Sequence, residues 1–505
     1  MSGDRHRTLV TLSVMLATIM QALDTTIANV ALPHMQGSMG ATQDQISWVL
    51  TSYIVAAAIF MPLTGFLSAR FGRKRLFLVS VVGFTLASML CGVAQSLSQI
   101  VLYRLLQGVF GAALVPLSQA VLLDTWPREQ HGSAMALWGV GVMVGPILGP
   151  SLGGWLTDHY DWRWVFYINL PIGLLAWYGI AAFVSETELD VKRRFDLFGF
   201  GMLALSIGAL QMMLDRGETL GWFQSGEIVF EAILAGLAFY LFLAHTLTSR
   251  QPFLDPELFR DRNFSVGLVF IFLVGIVLLA TMALLPPFLQ GLLGYPVIDV
   301  GFLLVPRGVG TMLAMLAVGR IAGRVDARAL IAFGLALTAW SLWMMTRFTL
   351  ETGAGDIVRT GAIQGLGLGF IFVPLSTLAF STLAPRFRNE GTAMFSLVRN
   401  IGSSIGISVV ISYLAMRTQA NHAAFSAYVE PSSLALRHAV ESGAVSLASP
   451  AGLAAVNAAV TRQAVTLAYL QDFRLMMWVS LAALPLVLLL RKPAAAPAGA
   501  HAVLE

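Results

Sequence analysis

The sequence predicts an all-α polytopic protein that crosses a membrane many times. Hydrophobic residues make up 57% of its 505 residues and charged residues only 11%, whereas soluble domains are about a quarter charged. Fourteen apolar runs reach the length of about 20 residues that a bilayer span requires. Two parts of the chain also repeat the same motifs in the same order. Together these observations predict 14 transmembrane helices, arranged as two six-helix halves with two inserted helices.

The spans follow from the hydropathy pattern. The first is too long for the apolar region of a cleaved signal sequence and contains Asp24, so we expect it to remain as a span. An even number of spans places both chain ends on one face of the membrane. The spans are predicted at about 8–33, 46–69, 76–95, 98–123, 133–157, 163–184, 196–214, 226–248, 264–289, 297–320, 329–348, 357–383, 391–415 and 472–490.

Basic residues accumulate in the connections on the side of the chain ends, as in the run Arg73–Arg75 and at Arg320, Arg324 and Arg328. Because short cytoplasmic loops carry an excess of Lys and Arg, we expect both termini in the cytoplasm. The connection 416–471 on the opposite side carries several arginines, but long loops weigh little in this rule. Its periodicity predicts a pair of short amphipathic helices on the outer membrane surface.

The internal repeat sets the domain boundaries. QGVFGAALVPLSQAVLLDTWPREQHGSAM from Gln107 corresponds to QGLGLGFIFVPLSTLAFSTLAPRFRNEGTAM from Gln364. Parallel halves with a site at their interface are typical of secondary transporters, and a shared packing motif without transport is the alternative. We expect an N-terminal half at 1–190, inserted helices and a linker at 191–262, a C-terminal half at 263–491 that includes the loop 416–471, and a tail at 492–505.

Several motifs resemble those of one family: LDTTIANVALP (23–33), GFLSARFGRKR (65–75), RLLQG (104–108), GPILGPSLGG (145–154) and LDRGETLGWF (214–223). The chain resembles the major facilitator superfamily, within it the fourteen-span drug:proton antiporters of the EmrB/QacA type, and most of all EmrB. The resemblance implies export of hydrophobic drugs across the bacterial inner membrane, driven by the proton gradient without a cofactor. It also implies a periplasmic adaptor protein and an outer-membrane channel as partners.

The loop between spans 2 and 3 matches the family at Gly65, Arg70, Arg73 and Lys74. The resemblance implies that these residues form a cytoplasmic gating loop, and a role as topology signals alone is the alternative. The loop departs from the family at Ala69, where the usual residue is Asp, so the acidic partner of the usual gating network is absent.

Asp24, Arg104, Arg307 and Arg399 lie deep inside predicted spans, where an ionisable group costs about 2.5–3.5 kcal/mol on insertion scales. Asp24 and Arg104 lie about 13 Å and 9 Å from the outer ends of spans 1 and 4, so they can pair if these spans adjoin, as the resemblance implies. The pair either couples protons to drug or ties two helices together. Arg307 either lines a cavity or bonds carbonyls near Pro306, and Arg399 either serves transport or extends to the cytoplasmic surface.

Further polar, methionine and aromatic side chains are candidates for an apolar substrate cavity suited to varied drugs. Buried amides that join helices, and side chains that only pack, are the alternative. With Arg307, the candidate cavity residues are Gln21, Asn29, Gln107, Met135, Trp138, Phe288, Gln364 and Asn400.

Span 5 contains GVGVMVGPILGPSLGG at 139–154, in which glycine recurs at every fourth position. In a helix these glycines form one bare ridge against which a neighbouring helix can pack closely. Either the ridge serves close packing alone, or it forms a bendable seam between the two halves. The antiporter motif comprises Gly141, Gly145, Pro146, Gly149, Pro150, Gly153 and Gly154.

The sequence contains no P-loop, no histidine or cysteine spacing of a metal site and no catalytic triad pattern, and its basic surplus needs no nucleic acid to explain it. We therefore expect no enzyme, but a proton-driven exporter of hydrophobic or cationic drugs. The alternatives are a facilitator of one metabolite, lipid or siderophore, and a non-transporting membrane sensor.

Overall fold

The computed structural model describes residues 3–187, 189, 194–321, 324–430, 434–441 and 449–491. The predicted tail 492–505 and the predicted boundary at 190/191 lie outside these residues. The α-helices are α1 (Gly3–Met39), α2 (Gln43–Phe60), α3 (Leu63–Phe71), α4 (Arg73–Val93), α5 (Leu97–Gly111), α6 (Leu114–Thr125), α7 (His131–His159), α8 (Trp164–Tyr167), α9 (Asn169–Phe183), α10 (Leu197–Arg216), α11 (Gly226–Thr248), α12 (Arg262–Pro287), α13 (Val297–Ile321), α14 (Ala327–Met345), α15 (Ala354–Ser381), α16 (Arg388–Ser426), α17 (Leu434–Glu441) and α18 (Pro450–Ala482).

The helices confirm the predicted polytopic fold. Within the described ranges, 13 helices are long and apolar enough to cross a membrane. A fourteenth span forms if α2 and α3, which meet at a bend of 57°, are taken together. Pro62 lies at this bend and has no N–H with which to continue the helical hydrogen bonds.

Of the two short helices predicted within 416–471, one is present and one is not. α17 (Leu434–Glu441) is a separate short helix, whereas the residues around Val460 and Val465 belong to α18. α16 continues to Ser426 and α18 already begins at Pro450, so both helices exceed the roughly 30 Å of a bilayer core. Asn421 of α16 donates to the carbonyl of Ala464 of α18 at 3.2 Å, which keeps the two helices side by side. The periodicity around Leu434 thus belongs to a separate short helix, and the periodicity around Val460 belongs to an extension of the last span.

Both chain ends lie on the same face of the helical bundle, which we call the terminal face. Trp126, which follows α6, donates to the hydroxyl of Thr11 in α1 at 3.0 Å. Arg491, which follows the last helix, donates its backbone N–H to Asn263 at the start of α12 at 2.8 Å. This arrangement agrees with the even number of spans expected from the sequence.

The two repeats pack alike. In the first, α1 lies along α7, and in the second α12 lies along α16. The halves meet where α7 packs on α13. The inserted helix α10 packs against α2 and α16, one helix from each half: Asp215 bonds Thr51, and Gln211 donates to Ser404 at 2.6 Å. The insertion therefore spans the boundary between the halves.

Candidate proton-coupling site

Asp24 lies at the centre of a buried polar network inside the N-terminal half. Its Oδ2 accepts a hydrogen bond from Arg104 Nη1 at 2.6 Å, which confirms that spans 1 and 4 bring these two side chains together. Its Oδ1 accepts hydrogen bonds from Gln107 Nε2 and Asn169 Nδ2, both at 2.8 Å. Both carboxylate oxygens are therefore satisfied, as an ionised carboxylate in an apolar interior requires.

The guanidinium of Arg104 is held as firmly as its partner. Its Nε donates to the backbone carbonyl of Val49 at 3.1 Å, and its Nη1 also donates to Gln107 Oε1 at 2.7 Å. The ring of Tyr53 lies 4.4 Å from the guanidinium carbon, which adds a cation–π contact. The network thus contains one positive and one negative charge, each with several partners.

Five helices position the network. The sequence did not point to Asn169, Ser88 or the carbonyl of Val49. Asn169, at the start of α9, donates to Ser88 Oγ of α4 at 2.9 Å, and Ser88 in turn donates to the carbonyl of Phe166 at 2.9 Å. α2 contributes the Val49 carbonyl. The only signal for Asn169 was a lone amide in the apolar span 6, and a backbone carbonyl leaves no trace in a sequence.

The network is sealed from the surroundings. Asp24 and Arg104 are each only 1% exposed, and Gln107 and Asn169 are fully buried. A substrate or a hydrated proton therefore reaches the Asp24 carboxylate only after the surrounding helices have moved. Gln21, a predicted cavity residue, lies beside this network and donates to the hydroxyl of Tyr53 at 3.3 Å.

Two predicted cavity residues lie where the halves meet. The indole of Trp138 in α7 stacks on Phe372 of α15 with ring centroids 5.7 Å apart, and its N–H donates to Ser118 at 2.8 Å. Met135, one turn away, is fully buried and its sulfur accepts from Gln119 at 3.7 Å. The stack of Trp138 on Phe372 is an apolar, polarisable contact between the two repeats, and Met135 lies one turn from it on α7.

Arg307 and Gln364 line a cleft inside the C-terminal half, between α12, α13, α14, α15 and α18. Arg307 Nη2 donates to the carbonyl of Leu278 in α12 at 3.0 Å, so it both lines a cavity and bonds a carbonyl, although not one near Pro306. Gln364 donates to Thr281 at 3.3 Å.

The remaining candidates lie elsewhere. Phe288 is fully buried in an aromatic cluster with Phe348 and Tyr469 of the C-terminal half. Asn29 is exposed and bonds its own helix, and Asn400 is half-buried in α16. The nine candidates therefore do not share one cavity in this conformation.

The glycine ridge of α7, formed by Gly141, Gly145, Gly149 and Gly153, packs against α1. A Cβ on Gly145 would lie 2.3 Å from the carbonyl oxygen of Ala22, and one on Gly149 would lie 2.1 Å from the hydroxyl of Thr26. That hydroxyl donates to the carbonyl of Gly145 at 3.0 Å. The predicted seam between the halves is wrong, because α1 belongs to the same half as α7. Close packing, the alternative, is what the ridge provides.

α7 is also one continuous helix through Pro146 and Pro150. Neighbouring helices in a membrane protein re-satisfy backbone groups that proline frees, so a proline does not have to break the helix. The second repeat packs in the same way without proline: Gly402 and Gly406 of α16 lie against the carbonyls of Phe272 and Ile276 in α12.

Other glycines serve the contact between the halves. A Cβ on Gly308 of α13 would lie 2.1 Å from Ile147 of α7, and a Cβ on Gly139 of α7 would lie 2.5 Å from the sulfur of Met315. Ser133 also donates to the carbonyl of Gly319 at 2.8 Å.

Asp124, at the end of α6, joins the halves at the terminal face. Its Oδ2 lies 2.5 Å from Arg73 Nη1 in the loop between spans 2 and 3. Its other oxygen pairs with Arg388, the first residue of α16 in the C-terminal half. The loop therefore has an acidic partner, although Ala69 supplies none.

The other residues of the predicted gating loop also lie at the terminal face. A Cβ on Gly65 would lie 2.6 Å from the side chain of Glu390 in α16, so this glycine allows close contact between the halves. The backbone N–H of Lys74 donates to Glu186 at 3.0 Å, and Arg70 is half-buried at the end of α3.

Comparison with protein families identifies this architecture. Residues 14–407 match the model of the Major Facilitator Superfamily. The chain belongs to the major facilitator superfamily. This superfamily consists of transporters rather than enzymes. The fold agrees with that of the human organic anion transporter MFSD10, which aligns with a TM-score of 0.61 at 14% identity over 94% of this chain and 99% of that one.

Two curated relatives within the superfamily share more than a third of their residues with this chain. The chain is 35% identical to the fatty acid resistance protein FarB of Neisseria gonorrhoeae over 97% of both chains. It is 37% identical to the multidrug export protein EmrB of Escherichia coli (strain K12), over 84% of this chain and 83% of EmrB. This major facilitator transporter is thus a multi-pass membrane protein of the EmrB/FarB-type drug:proton antiporter family.

The glycine ridge gives a testable contrast within one helix. Alanine is worth about 1 kcal/mol over glycine in a helix, but at Gly145 its Cβ meets the Ala22 carbonyl, and overpacking costs about 1–3 kcal/mol. We expect Gly145→Ala to lower the thermal unfolding midpoint of the purified transporter. Gly154→Ala, where a Cβ meets nothing within 4 Å, is the matched control and should leave the midpoint unchanged or higher. Equal midpoints for the two variants would contradict the packing described.

Asp124 gives a second prediction, on the contact between the halves. Asp124→Asn removes the charge that holds Arg73 and Arg388, so the terminal face should open more often. Spin labels at the exposed positions 129 and 324, in a Cys91→Ser background, should then report longer distances by double electron–electron resonance.

The matched control for this measurement is Asp326→Asn, because Asp326 pairs with Arg328 within its own half. It should leave the distances between the labels unchanged. An Asp124→Asn distribution that matches the unsubstituted transporter would show that Asp124 does not hold the halves together.

Proposed function

We propose that this transporter exports hydrophobic or cationic small molecules across the bacterial inner membrane in exchange for protons. The observation that carries the proposal is the Asp24–Arg104 pair, which is only 1% exposed. Burial of two charges inside a span costs free energy, and charged residues in such places usually mark a functional site. The names of the relatives support the same substrate class, since EmrB is a multidrug export protein.

Protonation of Asp24 is the step that links the proton to helix movement. A proton that reaches the carboxylate converts it to a neutral acid, and the attraction to Arg104 is lost. Arg104 retains the Val49 carbonyl and the Tyr53 ring, so α5 stays attached to α2. Asp24 is then held only by the hydrogen bonds that Gln107 and Asn169 donate to its other oxygen, so α1 shifts more readily. α1 carries α7 with it, because the glycine ridge interlocks the two helices, and α7 is the helix that meets the C-terminal half.

The proton gradient supplies the energy in this cycle. A proton that moves inward through an inside-negative membrane gains about 2.3 kcal/mol per 100 mV. The drug leaves and the proton enters in separate half-cycles of alternating access, so one membrane face is open at a time. The stacked rings of Trp138 and Phe372, with Met135 one turn away on α7, offer a hydrophobic drug a polarisable surface once the halves separate.

The orientation and partners are part of the proposal. The basic residues at the terminal face, among them Arg73, Lys74 and Arg388, support a cytoplasmic location of both chain ends. On the opposite face, α16 and α18 extend past the length of a bilayer core, which supports contact with a periplasmic adaptor protein and, through it, an outer-membrane channel.

A transporter of one lipid-like carboxylate is the second candidate function. Arg307 is 7% exposed, lines a mostly apolar cleft and has no carboxylate within 4 Å among the described residues. An amphipathic anion would satisfy both the guanidinium and the apolar walls. FarB, which is 35% identical to this chain, is a fatty acid resistance protein.

Transport in inverted membrane vesicles tests the proposal. With an imposed proton gradient, we expect Asp24→Asn to reduce drug-dye accumulation to the level of vesicles that lack the transporter, because an amide cannot exchange a proton. Asp161→Asn is the matched control, since Asp161 is an exposed carboxylate paired with its neighbour Arg163.

Two results would contradict the proposal. Full gradient-driven transport by a normally folded Asp24→Asn variant would exclude Asp24 from coupling. Accumulation of a fatty acid but of no drug dye by the unsubstituted transporter would establish the second candidate instead.

A further inference from the structure

A second buried carboxyl group lies in the C-terminal half, and nothing in the mechanism above uses it. Asp472 of α18 has no exposed surface. Among the residues that the structure describes, neither of its carboxyl oxygens has a hydrogen-bond partner. Its situation is the opposite of that of Asp24, whose two oxygens accept three hydrogen bonds.

The surroundings of Asp472 are apolar. Its neighbours on α18, Tyr469, Phe473 and Met476, belong to one hydrophobic cluster with Phe288 and residues of α14. Tyr469 packs edge-on against Phe288 at 5.2 Å, and Phe473 packs against the same ring at 6.2 Å.

The helices that pack on α18 bring no counter-charge to Asp472. Within the described residues, no Lys, Arg or His nitrogen lies within 4 Å of its carboxyl oxygens. Most charged and titratable groups on α12, α14, α16 and α18 lie at the helix ends, are bonded elsewhere or are exposed: Arg262, Arg328, Arg388, Glu390, Tyr413, Arg417, His422, Arg462 and Arg474, with Tyr469 as the nearest on α18 itself. Arg399 is half-buried about three turns into α16, and within the described residues it forms no ion pair with Asp472.

An ionised carboxylate without any donor is not tolerated in such a place. Burial of an isolated charge is so unfavourable that the group takes up a proton instead, and even a neutral polar group without a partner loses free energy. A buried carboxyl group without a donor therefore lowers the stability of the fold, and this points to a function for Asp472. We propose that Asp472 carries a proton in this conformation and releases it in another, as a second proton-carrying carboxyl group of the transport cycle.

The fold offers a route for that release. Asp472, Met476 and Ser480 follow each other at intervals of four residues, so they lie on one face of α18. Ser480, about 12 Å along the helix from Asp472, lines the cleft that also contains Arg307. When the acid dissociates to a carboxylate and a proton, Arg307 is the cation of that cleft that has no carboxylate partner within the described residues.

The inference rests on the proposed proton exchange and deepens it. Asp24 and Asp472 then each carry a proton through the membrane, one in each half, and each cycle moves one proton more than Asp24 alone provides. The number of protons exchanged per drug is therefore the quantity that separates the two carboxyl groups.

That number is measurable with purified transporter in liposomes. A fixed drug gradient is balanced against a variable pH gradient, and the point of zero net drug flux gives the protons exchanged per drug. We expect Asp472→Asn to retain drug exchange with one proton fewer per drug. Asp299→Asn, an exposed carboxylate of α13 in the same half, is the control and should keep the unsubstituted value.

The outcomes are distinct. An Asp472→Asn stoichiometry equal to that of the unsubstituted transporter overturns the role of Asp472 and leaves proton exchange intact. Absence of any proton-driven flux in the unsubstituted transporter overturns the proposed function itself.

Infrared spectroscopy tests the proton directly and does not depend on transport. The unsubstituted transporter should show the carbonyl stretch of a protonated carboxylic acid at neutral pH, and this band should be absent in Asp472→Asn. If that variant fails to fold, the same spectrum is recorded for Asp472→Glu. The band must then shift in frequency if it arises from residue 472. A band that neither substitution alters would overturn the proposal.

Discussion

The rest of the structure depends on the buried ion pair between Asp24 and Arg104. The pair is tolerated only because Gln107, Asn169 and the carbonyl of Val49 complete its hydrogen bonds, and these groups come from different helices. α1 must therefore keep one axial position relative to its neighbours. The glycine ridge of α7 fixes that axial position. It contacts Ala22 and Thr26, which lie on either side of Asp24 in the sequence.

The sequence predicted the features that depend on composition and on pairs of rare residues. Hydropathy located the spans, and the free energy of burying a charge singled out Asp24 and Arg104 before any helix was placed. Asn169, Ser88 and the Val49 carbonyl were missed because their importance comes from three-dimensional packing. The same limit explains the glycine ridge: its existence follows from the spacing, but its partner, α1 rather than the other half, does not. The predicted last span begins at position 472, whereas α18 begins at Pro450, so hydropathy did not place Asp472 deep inside a helix.

The two repeats share their architecture and differ in their charges. Close glycine contacts recur between α1 and α7 and between α12 and α16, so the repeat has preserved the backbone packing. The polar groups have diverged: the first half holds a completed ion pair, whereas in the second half Arg307 and Asp472 form no ion pair within the described residues. Asp124 and α10 each contact both halves, so a change of charge in one half has a polar connection to the other.

The most direct test of the central claim is the proton balance of drug binding. Purified transporter in weakly buffered detergent solution, mixed with a saturating drug and a pH indicator dye, should release protons to the solution over some range of pH. That release should disappear, or fall to what Asp472 alone supplies, in Asp24→Asn. Drug binding without any proton release, or with the same release in Asp24→Asn at every pH, would contradict an account in which the Asp24–Arg104 pair exchanges its proton for drug.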